Sequence, residues 1–242
     1  MTTQLVSLIT GANKGIGYEV ARQLAALGHF IIIGARNETY GRQAVERLRL
    51  DGYYAEHALL DVTDRASADS AAKRIDAQFG KLDVLINNAG IAIDARSSPS
   101  ELGLDVLRRT FETNTFGAVT MIQSLLPLLL RSQDARIVNV SSGLGSLTLN
   151  SDPEYEFAAV KLLAYNSSKT ALNAVTVQFA HELKKTNIKV NSADPGFTAT
   201  DLNGHRGTRT VEQAASIIVR LATLPASGPT GGFFDESGPV AW

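Results

Sequence analysis

The chain has 242 residues, 44% hydrophobic and 19% charged, with 23 basic and 24 acidic side chains and no cysteine. That apolar content excludes a disordered chain, and the missing cysteine excludes disulfides, thiol nucleophiles, Cys-ligated zinc and iron–sulfur clusters. A net charge of −1 leaves no electrostatic footprint for nucleic acid or an anionic membrane. In chain order, apolar runs at Leu5–Thr10, Phe30–Ala35 and Tyr54–Leu60 alternate with helical patterns at 16–27, 39–50 and 65–79. The alternation continues with strands at Val84–Asn87, Arg136–Ser141, Lys189–Ala193 and Gly232–Asp235, and with helical stretches at 101–130, 157–185 and 211–223. Runs this apolar, without strict alternation, suit strands buried on both faces. The order predicts an α/β fold, a doubly wound parallel sheet of the Rossmann type with about seven strands and helices on both faces. No repeat, low-complexity tract or long linker divides the chain, so residues 1–242 are expected to form a single dinucleotide-binding domain with a lid at about 197–210. The most apolar stretch, 121–130, is broken by Gln123 and Pro127 and is too short to span a bilayer. The N-terminus lacks the basic region of a secretory signal, and a cytoplasmic location is expected.

The first strand ends in Thr10-Gly11-Ala12-Asn13-Lys14-Gly15-Ile16-Gly17, and a helical pattern follows. Glycines let a backbone turn tightly and approach a pyrophosphate closely. A helix N-terminus then offers free N–H groups and the positive end of the helix dipole. The spacing is G-x-x-x-G-x-G, neither the usual dinucleotide pattern nor a P-loop, so an ordinary strand–helix turn is the plainer alternative. At the end of the second strand an NAD site commonly places an acidic residue for the ribose 2′-hydroxyl. This chain reads Gly34-Ala35-Arg36-Asn37 there. An arginine can pair bidentately with a 2′-phosphate, and Lys14 would add a second positive charge, so the pair favours NADP(H).

Tyr165-Asn166-Ser167-Ser168-Lys169 opens a helical stretch, and positions i and i+4 share a helix face. A free tyrosine, with a pKa of about 10, is a poor acid–base group at neutral pH. A nearby ammonium favours the phenolate, so Tyr165 beside Lys169 could exchange a proton with a carbonyl or alcohol oxygen. A hydroxyl at the end of the fifth strand could hold the same oxygen. Ser141 and Ser142 are adjacent, and strand side chains alternate, so one of them faces the cleft. On spacing alone the Tyr/Lys pair is ordinary helix surface. The histidines, His29, His57, His181 and His205, show no ligand spacing, and no metal is expected.

The glycine turn, Asp61-Val62, Asn87-Asn88-Ala89-Gly90, Asn114, Ser142, Tyr165-x-x-x-Lys169 and Pro195-Gly196 occur in that order. Together they resemble the short-chain dehydrogenase/reductase family, and its carbonyl reductases in particular, from about residue 5 to 201. The resemblance implies catalytic roles for Asn114, Ser142, Tyr165 and Lys169. Tyr165 would be the acid in carbonyl reduction and the base in alcohol oxidation. Lys169 would lower its pKa and bind the nicotinamide ribose, Ser142 would orient the substrate oxygen, and Asn114 would hold a relay water. Gly11, Asn13, Lys14, Gly15, Ile16, Gly17 and Arg36 would cradle the phosphates of NADP(H). Asp61 and Val62 would flank the adenine, while Asn87, Asn88, Ala89 and Gly90 would line the cleft. Pro195, Gly196, Phe197, Thr198 and Thr200 would meet the nicotinamide end.

The family pattern places a glycine three residues after its serine, and Gly145 fits Ser142. The family's serine-to-tyrosine spacing of about 13 points instead to Tyr155, but Ala159 stands four residues after it, with no ammonium. The chemistry needs the lysine more than the spacing, so Tyr165 is chosen, and the segment before it is about ten residues longer than usual. Some monomeric carbonyl reductases of the family carry an insertion there, which leaves monomer and homo-oligomer both open. Tyr155, Glu156 and Phe157 would then border the substrate cleft. The implied activity is NADPH-dependent reduction of a small ketone or aldehyde, reversible as alcohol oxidation. The alternatives are a 3-oxoacyl thioester reductase of the same fold and a non-enzymatic NADP-binding regulator. Trp242 is expected to pack at a subunit contact or on the cleft.

Overall fold

The apolar runs become strands β1 (Val6–Thr10), β2 (Phe30–Ala35), β3 (Ala55–Leu59), β4 (Val84–Asn87), β5 (Arg136–Val140), β6 (Lys189–Ala193) and β7 (Phe233–Phe234). The computed structural model describes residues 4–94 and 97–242. All strand pairs are parallel, in the order β3-β2-β1-β4-β5-β6-β7. β4 is the middle strand, and β1 lies beside it, with Ile9 level with Ile33 of β2 and with Ile86 of β4.

The absence of polar alternation in these strands has a direct cause: successive residues feed two different cores. Ile9, Ile31, Ile33, Ile86 and Val138 face one core, and Leu8, Ile32, Leu85 and Ile137 face the other. The first core is closed by α1 (Gly15–Ala26), α2 (Glu38–Leu50) and α8 (Val211–Ala222), through residues such as Val20, Leu24, Leu48 and Ile217. The second is closed by α3 (Arg65–Phe79), α5 (Gly117–Leu129) and α7 (Leu163–Glu182), through Ile75, Met121, Leu125 and Ala180. Each aliphatic side chain buried there contributes about 1.5–3 kcal/mol. No helix among the described residues is long and apolar enough to cross a membrane.

Local chemistry sets most helix starts. The Asn37 side chain accepts from the Tyr40 N–H, and Asp64 from the Ala66 N–H, while Thr210 and Gln213 form a reciprocal capping box. α1 differs: its N-cap is Lys14, which makes no side-chain cap bond, so the first-turn N–H groups keep no side-chain acceptor. Gly28 ends that helix at φ +89°, donating to the Ala25 carbonyl.

Several expected bounds are corrected. The stretch 101–130 starts later, as α4 (Leu104–Phe111), and passes through a π turn at Glu112–Phe116 before α5. The stretch 157–185 shortens to α7, because residues 157–162 are turn and coil. Between β5 and α7 a short unexpected helix, α6 (Leu147–Ser151), is capped by the Ser146 hydroxyl. The third strand also shortens to β3 and the last to β7. Trp242 stacks on Phe233 at 5.7 Å, and its main-chain oxygen accepts from Thr148, which moors the tail on α6.

Candidate active site

The sheet order reverses between β1 and β4, and in open α/β sheets that crevice at the strands' carboxyl ends receives ligands. Every segment singled out at a strand end opens onto this edge. The turn after β1 needs glycine at Gly11 and Gly15, whose φ angles are +64° and +59°. Gly17 brings α1 close to β4, because a Cβ there would stand 2.4 Å from Asn88 Nδ2. Asn88 in turn donates to the carbonyls of Thr10 (2.8 Å) and Gly11 (3.3 Å), and the Thr10 hydroxyl accepts from the Asn88 and Ala89 N–H groups at 3.0 Å. Asn88 and Ala89 therefore hold the glycine turn in shape. Ile16 turns its side chain into the core.

Arg36 is exposed at the end of β2 and makes no hydrogen bond or ion pair with another described residue. Lys14 is different: it pairs with Asp201 of the lid, which also bonds His205 at 2.7 Å. Lys14 and then His205 hold the Asp201 carboxyl below the usual carboxylate range. Lys14 therefore shares its charge with an exposed carboxylate from the segment after β6. The Asn13 carbonyl accepts from Arg47, whose guanidinium lies over the Tyr18 ring at 4.1 Å. Asp61 Oδ1 accepts from the Thr63 hydroxyl (2.7 Å) and N–H (2.9 Å), and the Thr63 hydroxyl holds its pKa low. Val62 is buried against Gly117 and offers little surface to the cleft. Asn87 also turns away, donating to Asn139 Oδ1 at 2.8 Å.

Ser142 follows β5, and its hydroxyl accepts from the Leu144 N–H at 3.2 Å. Ser141, buried, points the other way, toward the Lys169 carbonyl. Gly145 lets this loop lie on α7: a Cβ there would stand 2.7 Å from Lys169 Cβ and 2.8 Å from its carbonyl carbon. Tyr165 and Lys169 lie one helical turn apart on α7, with Nζ 5.7 Å from the phenol ring centre. Lys169 is buried and donates to the Val140 carbonyl at 2.7 Å. Burial lowers its pKa to about 8. Burial also pushes Tyr165 up to about 12, against a hydrogen bond from Ser142 that favours the phenolate, with the Asp194 carboxylate adding to the rise. Lys169 is not among the groups that set the phenol here; burial dominates, and the ammonium is bonded to the Val140 carbonyl.

Asn114 lies in the π turn, and its amide is spent on protein. It accepts from the Ile91 N–H (2.8 Å) and donates to the Ile91 carbonyl (2.9 Å) and the Ser168 hydroxyl (3.0 Å). Its side chain pins the β4 loop to α7. Gly90 lies beside it, 3.5 Å at its Cβ position from Lys169 Nζ. Pro195 and Gly196 open the lid, where the Phe197 carbonyl accepts from the Thr208 and Arg209 N–H groups at 2.9 and 3.0 Å. The buried Thr198 bonds the Pro195 and Gly196 carbonyls, and Thr200 approaches the Gly15 position at 3.8 Å.

Two aspartates were not singled out in the sequence: Asp94 and Asp194. Asp194 directly precedes the Pro195-Gly196 turn, and that position is the signal that could have found it. Asp94 has no local signal. Its buried carboxylate accepts from the Ala164 N–H at 2.6 Å and the Tyr165 N–H at 3.1 Å, across 70 residues of chain. It caps α7 and fixes the turn that carries Tyr165. Asp94→Ala is expected to lower stability by about 1–3 kcal/mol, since two buried donors lose their acceptor. It should lower kcat about tenfold, with Asp94→Asn milder in both; thermal melts and steady-state rates check this.

A family model for short chain dehydrogenase matches residues 5–210. The chain is 40% identical over 227 residues to short-chain dehydrogenase anuI of Penicillium roqueforti, covering 91% of this chain and 89% of that one. It is 36% identical to (+)-neomenthol dehydrogenase of Arabidopsis thaliana, covering 97% of each. The fold matches the NADPH-bound carbonyl reductase from chicken fatty liver with a TM-score of 0.87 at 27% identity, covering 99% of this chain and 100% of that one.

Proposed function

From the premise that this chain belongs to the short-chain dehydrogenase family, we propose that it reduces a ketone or aldehyde to an alcohol with NADPH, reversibly, as one dinucleotide-binding domain that includes the lid. The observation that carries this reading is the convergence of Tyr165, Lys169 and the Ser142 hydroxyl at the reversal point of the sheet. A location in the cytoplasm remains part of this reading.

The residues present fit a dinucleotide. The uncapped first turn of α1 and the positive-φ glycines suit a pyrophosphate, and the exposed Arg36, which pairs with no other described residue, suits a 2′-phosphate. Asp61 Oδ2, which accepts from no other described residue, suits an adenine amino group. The bound cofactor supplies the hydride. Tyr165 holds the proton for the carbonyl oxygen: with its pKa at about 12 the phenol is protonated at neutral pH, as an acid in reduction must be. Ser142 donates to the same oxygen and stabilises its growing charge. Lys169 keeps a positive charge beside the phenol as the proton leaves. Asn114, Asn88 and Asp94 hold these groups in register.

NADP preference rests on Arg36. Arg36→Asp is expected to reduce the kcat/KM for NADPH relative to NADH by roughly a hundredfold, through loss of a charge-assisted pair and added repulsion. Steady-state kinetics with both cofactors check it; an unchanged ratio would refute the assignment.

A further inference from the structure

A reaction between two bound partners needs the groups that hold one fixed against the groups that hold the other. Here those groups follow different strands. Ser142 follows β5 and the Pro195-Gly196 turn follows β6, with Val140 and Ala193 level on the two strands. Backbone pairing reaches one step further, where the Ser141 N–H donates to the Ala193 carbonyl at 2.7 Å. Beyond it one segment enters the Gly143–Gly145 turn and the other enters the lid.

Asp194 bridges that gap. Its own N–H donates to the Phe234 carbonyl of β7 at 2.8 Å, so its carboxyl hangs from a fixed point. The Gly196 N–H donates to Oδ1 at 2.9 Å, and the Gly143 N–H bonds the same carboxyl from the Ser142 side. Both ends are tightly packed. A Cβ at Gly143 would stand 2.5 Å from Tyr155 Oη and 2.8 Å from Asp194 Oδ2, so the main chain lies directly on both groups and only glycine fits. Gly196, at φ +72°, lies against Arg209, whose Cδ would stand 2.6 Å from a Cβ there. On its other flank the Ser142 loop is held to α7, where the Gly145 carbonyl accepts from the Thr170 hydroxyl at 2.9 Å. Burial raises the Asp194 carboxyl and Asp235 adds to the rise, while the Gly196 and Gly143 N–H groups and Arg209 oppose it.

We infer that Asp194 is a positioning residue for the reaction: its carboxyl clips the loop that carries Ser142 to the Pro195-Gly196 turn. This rests on the reductase reading above, in which Ser142 holds the carbonyl oxygen and that turn meets the nicotinamide end. Gly145 fixes Ser142 relative to Tyr165 on α7, and Asp194 fixes it relative to the cofactor side. Asp194 acts through these two main-chain groups and not on the reacting atoms.

Asp194→Ala is expected to lower kcat for carbonyl reduction by about a hundredfold, the cost of an ångström-scale misplacement. NADPH affinity, read by fluorescence titration, should stay within about threefold, because the proposed phosphate contacts lie on other strands. Asp194→Asn keeps an oxygen for one N–H and turns an NH2 toward the other, so its loss should be smaller, about tenfold. Gly143→Ala attacks the clip from the loop side and should reproduce the loss of kcat with NADPH affinity kept. A further readout needs neither carbonyl nor cofactor. Amide hydrogen exchange at Gly143 and Gly196 should speed up by about tenfold or more in Asp194→Ala, with α1 and α7 unchanged. Wild-type kcat in Asp194→Ala and Gly143→Ala overturns the positioning role and leaves the reductase reading intact. So does a loss of kcat matched by an equal loss of NADPH affinity and by faster exchange throughout the chain. Turnover of no carbonyl by the wild type overturns both.

Discussion

Tyr165→Phe is expected to lower kcat for carbonyl reduction by about a thousandfold, the scale that a positioned proton donor contributes. The substitution removes one oxygen and keeps the ring, so the packing of α7 survives. NADPH binding, followed by fluorescence titration, should change little, because the proposed pyrophosphate and 2′-phosphate contacts lie at the ends of β1 and β2. Tyr155→Phe is the control. It lacks an ammonium one turn on, since Ala159 stands there, and its substitution should alter substrate preference rather than abolish turnover. Full activity in Tyr165→Phe with loss in Tyr155→Phe would reverse the choice of acid.

Lys169→Met should produce opposite effects on activity and stability. Activity falls by about a hundredfold or more as the charge beside the phenol is lost. Stability rises, because removing the desolvated ammonium, which burial lowers to about 8, outweighs losing its hydrogen bond to the Val140 carbonyl. The net gain is expected as a rise of a few degrees in melting temperature for a chain of this size. The pH dependence has a definite sign. Lys169 has a pKa of about 8 when folded against 10.5 ordinarily, so between those values the unfolded chain binds the extra proton. Wild-type stability therefore gains from this group as pH rises from 8 to 10.5, and lacks that gain below pH 8. Tyr165 and Tyr155 act oppositely above pH 10, where the unfolded phenols ionise before the folded ones at about 12. Chemical unfolding of wild type and Lys169→Met across pH 7–10 measures the difference; parallel curves would contradict it.

The parallel sheet and its helices were legible because buried strands and capped helices are local patterns. The runs around Ile9, Ile32 and Val138 read as strands without knowledge of their neighbours, and Asn37, Asp64 and Thr210 announce helix starts from within the helix sequence. The glycine turn and Tyr165-x-x-x-Lys169 are equally local, one by backbone freedom and the other by helix periodicity. The start of α7 was not legible. Its cap is Asp94, which reaches it only once β4 and β5 lie side by side. The π turn at Glu112–Phe116 escaped for a similar reason, since the contacts of Asn114 are with Ile91 and Ser168.

The sequence by itself determined the fold class, the family resemblance and the residues offered for chemistry, because spacing along one strand or helix is covalently set. Only the tertiary structure decided what those residues face. It spent Lys14 on Asp201, Asn87 on Asn139 and Asn114 on the β4 loop, and it left Arg36 without a partner among the described residues. It also raised the phenol and lowered the ammonium, although the spacing alone suggested a lowered phenol. The reason is common to all of these. Hydrogen bonds and desolvation act over a few ångströms in space, and the chain brings distant residues within that range only by folding.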